Sequence, residues 1–304
     1  MSRHLLVTGG CGFIGSHLVD ALIAAGHRVR VLDDLSSGRR ENAPAAAEMM
    51  IGDVADLAAV RGAISGIDGC FHLAAIASVA RSNVDWLGTH RVNLTGAITV
   101  LEAARARRTP VVYASSAAVY GDNPNVPLTE DAVTRPLTAY GADKLGCELH
   151  GRVAWHVHRV PNTGVRLFNA YGPRQDPNSP YSGVISIFAD RVRRGVPMEI
   201  HGDGGQTRDF VFVSDAVAHL IAAMGKAGEA AVYNACTGRA TSVSALADAI
   251  EAAAGKRVER RNSAARAGDI RASIGNPARA RATLGVAANV PLTDGLKATL
   301  AGLN

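Results

Sequence analysis

Residues 5–22 read LLVTGGCGFIGSHLVDAL: a short apolar run, a glycine-punctuated turn, then apolar residues at helical spacing. Gly9, Gly12 and Gly15 fall in GxxGxxG register directly after the expected strand and at the start of the expected helix. Glycine omits the side chain where the turn is tight, where a pyrophosphate must approach the backbone, and where helix meets strand. The helix N-terminus adds free N–H groups and positive potential. In a chain with 32 glycines the spacing alone is weak, so the flanking strand and helix carry the reading. Asp33 closes the next β-branched run, RVRVLD, where a carboxylate can accept both hydroxyls of an adenosine ribose, and Asp53 follows the third run. These residues predict a bound dinucleotide. A carboxylate at 33 would repel a ribose phosphate and so favours NAD over NADP, with Arg39 and Arg40 nearby as the opposing feature.

Outward from this turn, strands are expected over 5–8, 28–33, 49–53, 69–74, 110–115 and 163–168, with helices over 13–25, 55–64, 86–107 and 138–158. Strand and helix alternating at this spacing call for right-handed crossovers and an α/β, doubly wound (Rossmann-like) parallel sheet covered on both faces. After about 170 loop-forming stretches (172–180, 201–206, 261–269) separate shorter helices, expected over 184–194, 214–225, 243–254 and 277–284. The expected organisation is a dinucleotide domain over 1–168 and a smaller, irregular substrate domain over 169–304, interleaved near the boundary. The second would roof the carboxyl edge of the sheet, where ligands of open α/β sheets lie.

The 304 residues are 47% apolar and 19% charged, which fits a globular chain with ample core and without a run long enough to span a bilayer. Cys11, Cys70, Cys147 and Cys236 stand far apart, against a zinc ribbon or a disulfide framework. The opening MSRH runs straight into the first strand without an export-type apolar region, so the cytoplasm is the expected location. Net charge is +5, but the 28 arginines are scattered with no basic tail, which argues against nucleic acid.

Tyr140 and Lys144, in TAYGADKLGCE, lie four apart and so on one helix face. A phenol is a poor base at neutral pH, and a neighbouring ammonium favours the phenolate. Six tyrosines and four lysines would give roughly 0.08 such pairs by chance, so the pair marks a proton acceptor. Ser115 and Ser116 end the run PVVYASS, where a hydroxyl could meet a substrate beside the cofactor. His156 and His158 point to different helix faces and no HExxH exists, so no metal is expected; Cys147 reads as core.

Together with HLAA (72–75), VNLTG (92–96), ASSAAVYG (114–121), RLFNAYGPRQ (166–175), GDGGQTRDFVFVSD (202–215) and AGDIRAS (267–273), these motifs resemble the extended short-chain dehydrogenase/reductase family, and within it the nucleotide-sugar 4-epimerases. The resemblance covers nearly the whole chain. It implies Tyr140 as base, Lys144 as its partner on the nicotinamide ribose and Ser116 as the hydroxyl bridging sugar and phenol. Around the NAD it implies Gly9, Gly12, Phe13, Ile14, Gly15, Asp33, Ser37, Gly38, Asp53, Val54, Leu73, Ala74, Ala75, Asn93, Ser115 and Phe168. Around a UDP-sugar it implies Ser78, Ser116, Asn169, Val184, His201, Arg208, Arg266, Asp269 and Ser273. Two guanidinium groups, Arg208 and Arg266, suit a pyrophosphate that accepts forked hydrogen bonds. The implied reaction is reversible hydride transfer through a 4-keto sugar, and the implied assembly is a homodimer formed through 86–107 and 138–158.

Dehydratase and decarboxylase relatives carry acids where this chain has Ala117 and Ala118, and two alanines cannot supply the extra acid/base groups those reactions need. An epimerase is expected. A 4-ketoreductase is the nearest enzyme rival, and an NAD-binding sensor the rival from another class. Arg266, Asp269 and Ser273 reproduce a family spacing in which the last residue lies beside the sugar. Ser273 in place of a tyrosine predicts room for a 2-acetamido group, and so activity on UDP-GlcNAc/UDP-GalNAc besides UDP-glucose/UDP-galactose; RQDPNSPYSGVI (174–185), with Asp176 offering no cation to a uronate, resembles that same branch.

Overall fold

A computed structural model describes residues 2–177, 183–265 and 270–303. The first half runs β1 (His4–Thr8), α1 (Phe13–Ala24), β2 (Arg28–Asp33), β3 (Glu48–Ile51), α2 (Leu57–Ile64), β4 (Gly69–His72), α3 (Val79–Val84), α4 (Trp86–His90), α5 (Gly96–Arg105), β5 (Val111–Ser116), α6 (Ala139–His158) and β6 (Asn162–Leu167). The second runs β7 (Asn169–Tyr171), α7 (Val184–Arg194), β8 (Met198–His201), β9 (Thr207–Arg208), β10 (Phe210–Phe212), α8 (Val213–Met224), β11 (Glu229–Ala235), β12 (Thr241–Ser242), α9 (Val243–Ala254), β13 (Arg260–Ser263), β14 (Ala272–Ser273), α10 (Ala278–Leu284) and α11 (Leu292–Ala301).

Seven parallel strands form the main sheet in the order β11-β6-β5-β4-β1-β2-β3. The reversal between β1 and β4 is the switch point of a Rossmann-like fold, and it lies at the glycine turn. Strand β1 shows why both faces are covered: Leu5 and Val7 pack with Leu18, Leu22 and Leu220 of α1 and α8, whereas Leu6 packs with Val60 and Val100 of α2 and α5. Continuous apolar runs are what a doubly covered parallel strand requires. The smaller lobe has its own core, in which Phe188, Met198, Leu246, Ile250 and Leu296 meet. All four cysteines are buried and unbridged.

Two local expectations are corrected. The helix expected over 86–107 is α4, a π turn over Arg91–Thr95 and α5, because the side chain of Asn93 is drawn into the loop beside it. Strand β4 stops at His72 and β3 at Ile51, since Leu73–Ala75 turn across the glycine loop and Asp53 caps a turn by accepting from the Ala55 N–H at 2.8 Å. After residue 168 the chain returns to the main sheet, first as α8 on one face and then as β11 at its edge. Among the described residues no helix is long and apolar enough to cross a membrane.

Candidate active site

The dinucleotide end is built from backbone. Gly9 has φ +71°, and a Cβ there would lie 2.6 Å from Ala74 N; one on Gly15 would lie 2.0 Å from Gly9 O. Only glycine lets the turn fold this tightly against both the α1 terminus and the strand-end loop. Among the described residues such an atom at Gly12 would touch only Gly9 O, at 3.3 Å, and no side chain caps α1. The N–H groups opening α1, from Phe13, Ile14 and Gly15, are thus left for an anion. Buried Asp33 closes the wall: Oδ2 accepts from Cys11 N at 2.9 Å and Oδ1 from Leu35 N at 2.9 Å, so its carboxylate is fixed with lone pairs to spare. Gly38 packs beside Cys11 and Asp33, and exposed Ser37 precedes it on the rim. Burial pushes the Cys11 thiol up to about 11, which leaves it protonated and inert at neutral pH. This cradle of small residues and free N–H groups fits a dinucleotide.

Other expected contacts are engaged within the protein. Asp53 pairs with Arg91 at 2.7 Å. Val54 is buried against Gly96. Asn93, fully buried, accepts from Ile76 N (2.8 Å) and donates to Ile76 O (3.2 Å), holding the loop that carries Leu73, Ala74 and Ala75. Ser115 donates to Glu148 at 2.5 Å, and Phe168 packs against Tyr120 and Gly275.

At the reacting end, Thr138 caps α6 by accepting from Gly141 N, and the Tyr140 N–H is capped from a different element, by Ser82 Oγ at 3.2 Å. Lys144, 4% exposed, donates to Ala114 O at 2.9 Å, with its ammonium 5.8 Å from the Tyr140 ring centre. Ser116 accepts from Ala118 N at 3.2 Å and opens the 3-10 turn Ala117–Tyr120. A Cβ on Gly141 would lie 2.7 Å from Ala118 O, so glycine lets α6 press against that turn. Tyr140, Lys144 and Ser116 therefore converge at the carboxyl end of β5. Nearby, His72 shares a 2.8 Å contact with Thr8 Oγ1, and burial, helped by the Lys144 charge, pushes it down to about 3, so it is neutral.

The small lobe brings part of the expected sugar-nucleotide set together. Ser273 pairs with Arg208 across β14 and β9, and the Arg208 guanidinium is held by Thr207 O (2.9 Å) and Ile270 O (2.7 Å). Neighbouring Asp209 is fully buried; burial raises its pKa against the pull of donors from Thr237, Gly238 and Gly275, and it ties the loop at 237–238 to the one at 275. Asn169 donates through its amide to Asp209 O at 3.2 Å, Val184 begins α7, and His201 contacts Ser263 Oγ at 2.7 Å. Ser78 is spent capping α3. Arg266 and Asp269, and 178–182 of the acetamido-type stretch, lie outside the described residues. Sequence reading missed Ser82, Thr8, Glu148 and Arg166. Only Glu148 left a signal, one further helical turn after Tyr140 and Lys144.

A glycine-turn dinucleotide cradle facing a tyrosine–lysine pair defines a nicotinamide-type oxidoreductase core of the short-chain kind. More closely, residues 5–236 match the NAD dependent epimerase/dehydratase family, and the chain belongs to it. It is 40% identical over 304 residues to UDP-glucose 4-epimerase of Mycolicibacterium smegmatis, covering 97% of this chain and 96% of that one. UDP-glucose 4-epimerase of Thermotoga maritima, solved with UDP-glucose, superposes with a TM-score of 0.95 at 36% identity over 98% of both chains. UDP-N-acetylglucosamine 4-epimerase of Methanobrevibacter ruminantium M1, solved with UDP-N-acetylmuramic acid, gives 0.94 at 31% identity over 99% of this chain and 98% of that one.

Proposed function

We propose that this protein is an NAD-dependent 4-epimerase of UDP-hexoses. The observation that carries the reading is the Tyr140–Lys144 pair anchored on the end of β5 at Ala114, two residues before Ser116, with Ala117 and Ala118 following in the chain. That is machinery for moving one proton, without the further acid/base groups that elimination or decarboxylation would need. Bound NAD supplies a reversible acceptor for the hydrogen on sugar carbon 4. Tyr140 takes the proton of the 4-hydroxyl, Lys144 stands one helical turn further along the same face, and Ser116 bridges phenol and sugar. Arg208 and Arg266 hold the pyrophosphate and Asp269 the nucleotide ribose. Because the nucleotide is gripped and the hexose is not, the oxidised sugar turns over and is restored with inverted configuration, without net redox change. The small lobe, residues 169–304 apart from the elements they lend to the sheet, is the sugar-nucleotide domain. Supplying UDP-galactose and, separately, UDP-glucose to the purified protein should give the other sugar without added reductant. Absence of interconversion, or consumption of a reduced nicotinamide, would overturn the reading.

Ser273 extends it to acetamido sugars. Serine beside Arg208 leaves the volume that a phenol would fill, and similarity to a UDP-N-acetylglucosamine 4-epimerase supports it. The Ser273→Tyr substitution should remove activity on UDP-GlcNAc/UDP-GalNAc by at least about tenfold more than on UDP-glucose/UDP-galactose. Equal losses on both sugar pairs would refute this assignment.

The assembly is a homodimer. Leu149, Val153 and Val157 form an exposed row along α6, 55%, 48% and 66% accessible, and Ile98 of α5 is exposed as well. The spacing of four places them on one face, and two antiparallel copies of α5 and α6 would bury it as a four-helix interface.

A further inference from the structure

Tyr140, Lys144 and Glu148 stand at successive turns on one face of α6, and the last two grip consecutive residues at the end of β5. Lys144 Nζ donates to Ala114 O at 2.9 Å, and Ser115 Oγ donates to Glu148 Oε1 at 2.5 Å. Glu148, 6% exposed, is held from the other side by Arg166 of β6, 4% exposed, through a forked pair: Nε to Oε1 at 2.8 Å and Nη2 to Oε2 at 2.7 Å. The remaining nitrogen of Arg166 donates to Tyr120 Oη at 2.8 Å and to Glu130 O at 2.9 Å, with the guanidinium 4.8 Å over the Tyr120 ring.

Traced through, these contacts close a ring: Ser115 to Glu148, Glu148 to Arg166, Arg166 to Tyr120, and back along the chain from Tyr120 to Ser115. The covalent arc of that ring is Ser116, Ala117, Ala118 and Val119, so it carries the hydroxyl that meets the substrate. Buried ion pairs commonly break even against apolar replacements, so stability does not account for this one. A forked carboxylate–guanidinium pair does fix distance and angle, and bonds to a buried charge are short and stiff.

We propose that Glu148, locked by Arg166 and acting through Ser115, is a positioning residue that sets the separation between Ser116 and the Tyr140–Lys144 pair. Ser115 then serves the reaction through Glu148 and not by touching the dinucleotide. The proposal rests on the epimerase reading for its kinetic consequence, but not for its structural one.

Ser115→Ala tests it with little threat to the fold, because the Glu148–Arg166 pair survives. Its kcat for UDP-galactose should fall about tenfold, with KM within about twofold and NAD content per chain unchanged. Ser115→Thr, which keeps the hydroxyl, should restore most of the loss. Added to Tyr140→Phe, Ser115→Ala should cost less than about twofold more, since both act on one step. Crystal structures of wild type and Ser115→Ala should differ in the Ser116 Oγ to Tyr140 Oη separation by about 0.5 Å or more. A wild type inert on UDP-sugars would refute the epimerase reading, while the crystallographic separation would still decide the positioning role. Unchanged kcat with lowered stability, loss of NAD from Ser115→Ala, multiplying losses in the double variant, or an unchanged separation would each overturn the proposal.

Discussion

Tyr140 sits where three unrelated constraints intersect. Its N–H is capped by Ser82, its following glycine abuts the Ser116 turn, and its helical neighbour Lys144 is anchored to β5. Tyr140→Phe keeps all three and deletes only the oxygen. It should lower turnover by roughly 100-fold or more while the protein still purifies with NAD, measured by coupled assay and by cofactor extraction. Retained turnover would remove Tyr140 from the proton-transfer role. His72 makes a different point: the unfolded chain takes up a proton here near pH 6.5, whereas the buried native imidazole does so only at about 3. Stability at His72 is therefore present in full above 6.5 and is lost as pH falls toward 3, at up to about 1.4 kcal/mol per pH unit. Melting temperatures between pH 7 and 4 should fall less steeply in His72→Asn than in wild type, and parallel slopes would contradict the assignment.

At the scale of elements, α6 works on two sides at once. One face presents Tyr140, Lys144 and Glu148 to the sheet, and the other presents Leu149, Val153 and Val157 to solvent. Val153→Asp places a charge in the proposed four-helix interface and should shift the protein to monomer by light scattering at micromolar concentration. An unchanged mass would move the interface elsewhere. Elements of this kind were legible in the sequence because period and spacing report them: the glycine turn, the strand ending in Asp33, and the Tyr140/Lys144 pair. The π turn at Asn93 was not, since a side-chain amide pairing with Ile76 leaves no periodic trace. Nor was the ring through Arg166, whose partners come from α6, the turn after β5 and β6, and meet only in the folded chain.

For the whole molecule, the sequence predicts the sheet up to β6 but not its last strand. EAAVYNA is alanine-rich, and its first pairings are broken by a shift at Ala230, whose φ is +56°. Strand β11 and helix α8 come from the second half of the chain yet complete the first half's sheet and core. A fragment of residues 1–168 should therefore fail to give a soluble, cooperatively melting domain, and a stable two-state fragment would show the lobes to be separable.

The late arrival of β11 also has a consequence in time. Leu167 pairs with Ala235, so about 70 residues separate the end of β6 from the strand that covers it. At about 5–20 residues per second, synthesis leaves the buried, hydrogen-bonding edge of β6 open for on the order of 3–14 s. Every nascent chain passes through an interval in which the residues of its nucleotide cradle have been synthesised but the strand that pairs with β6 has not, so the backbone N–H and C=O groups of that edge stand unpaired. It is in that interval, before the finished enzyme exists, that a chaperone or a second unfinished chain would compete for the edge.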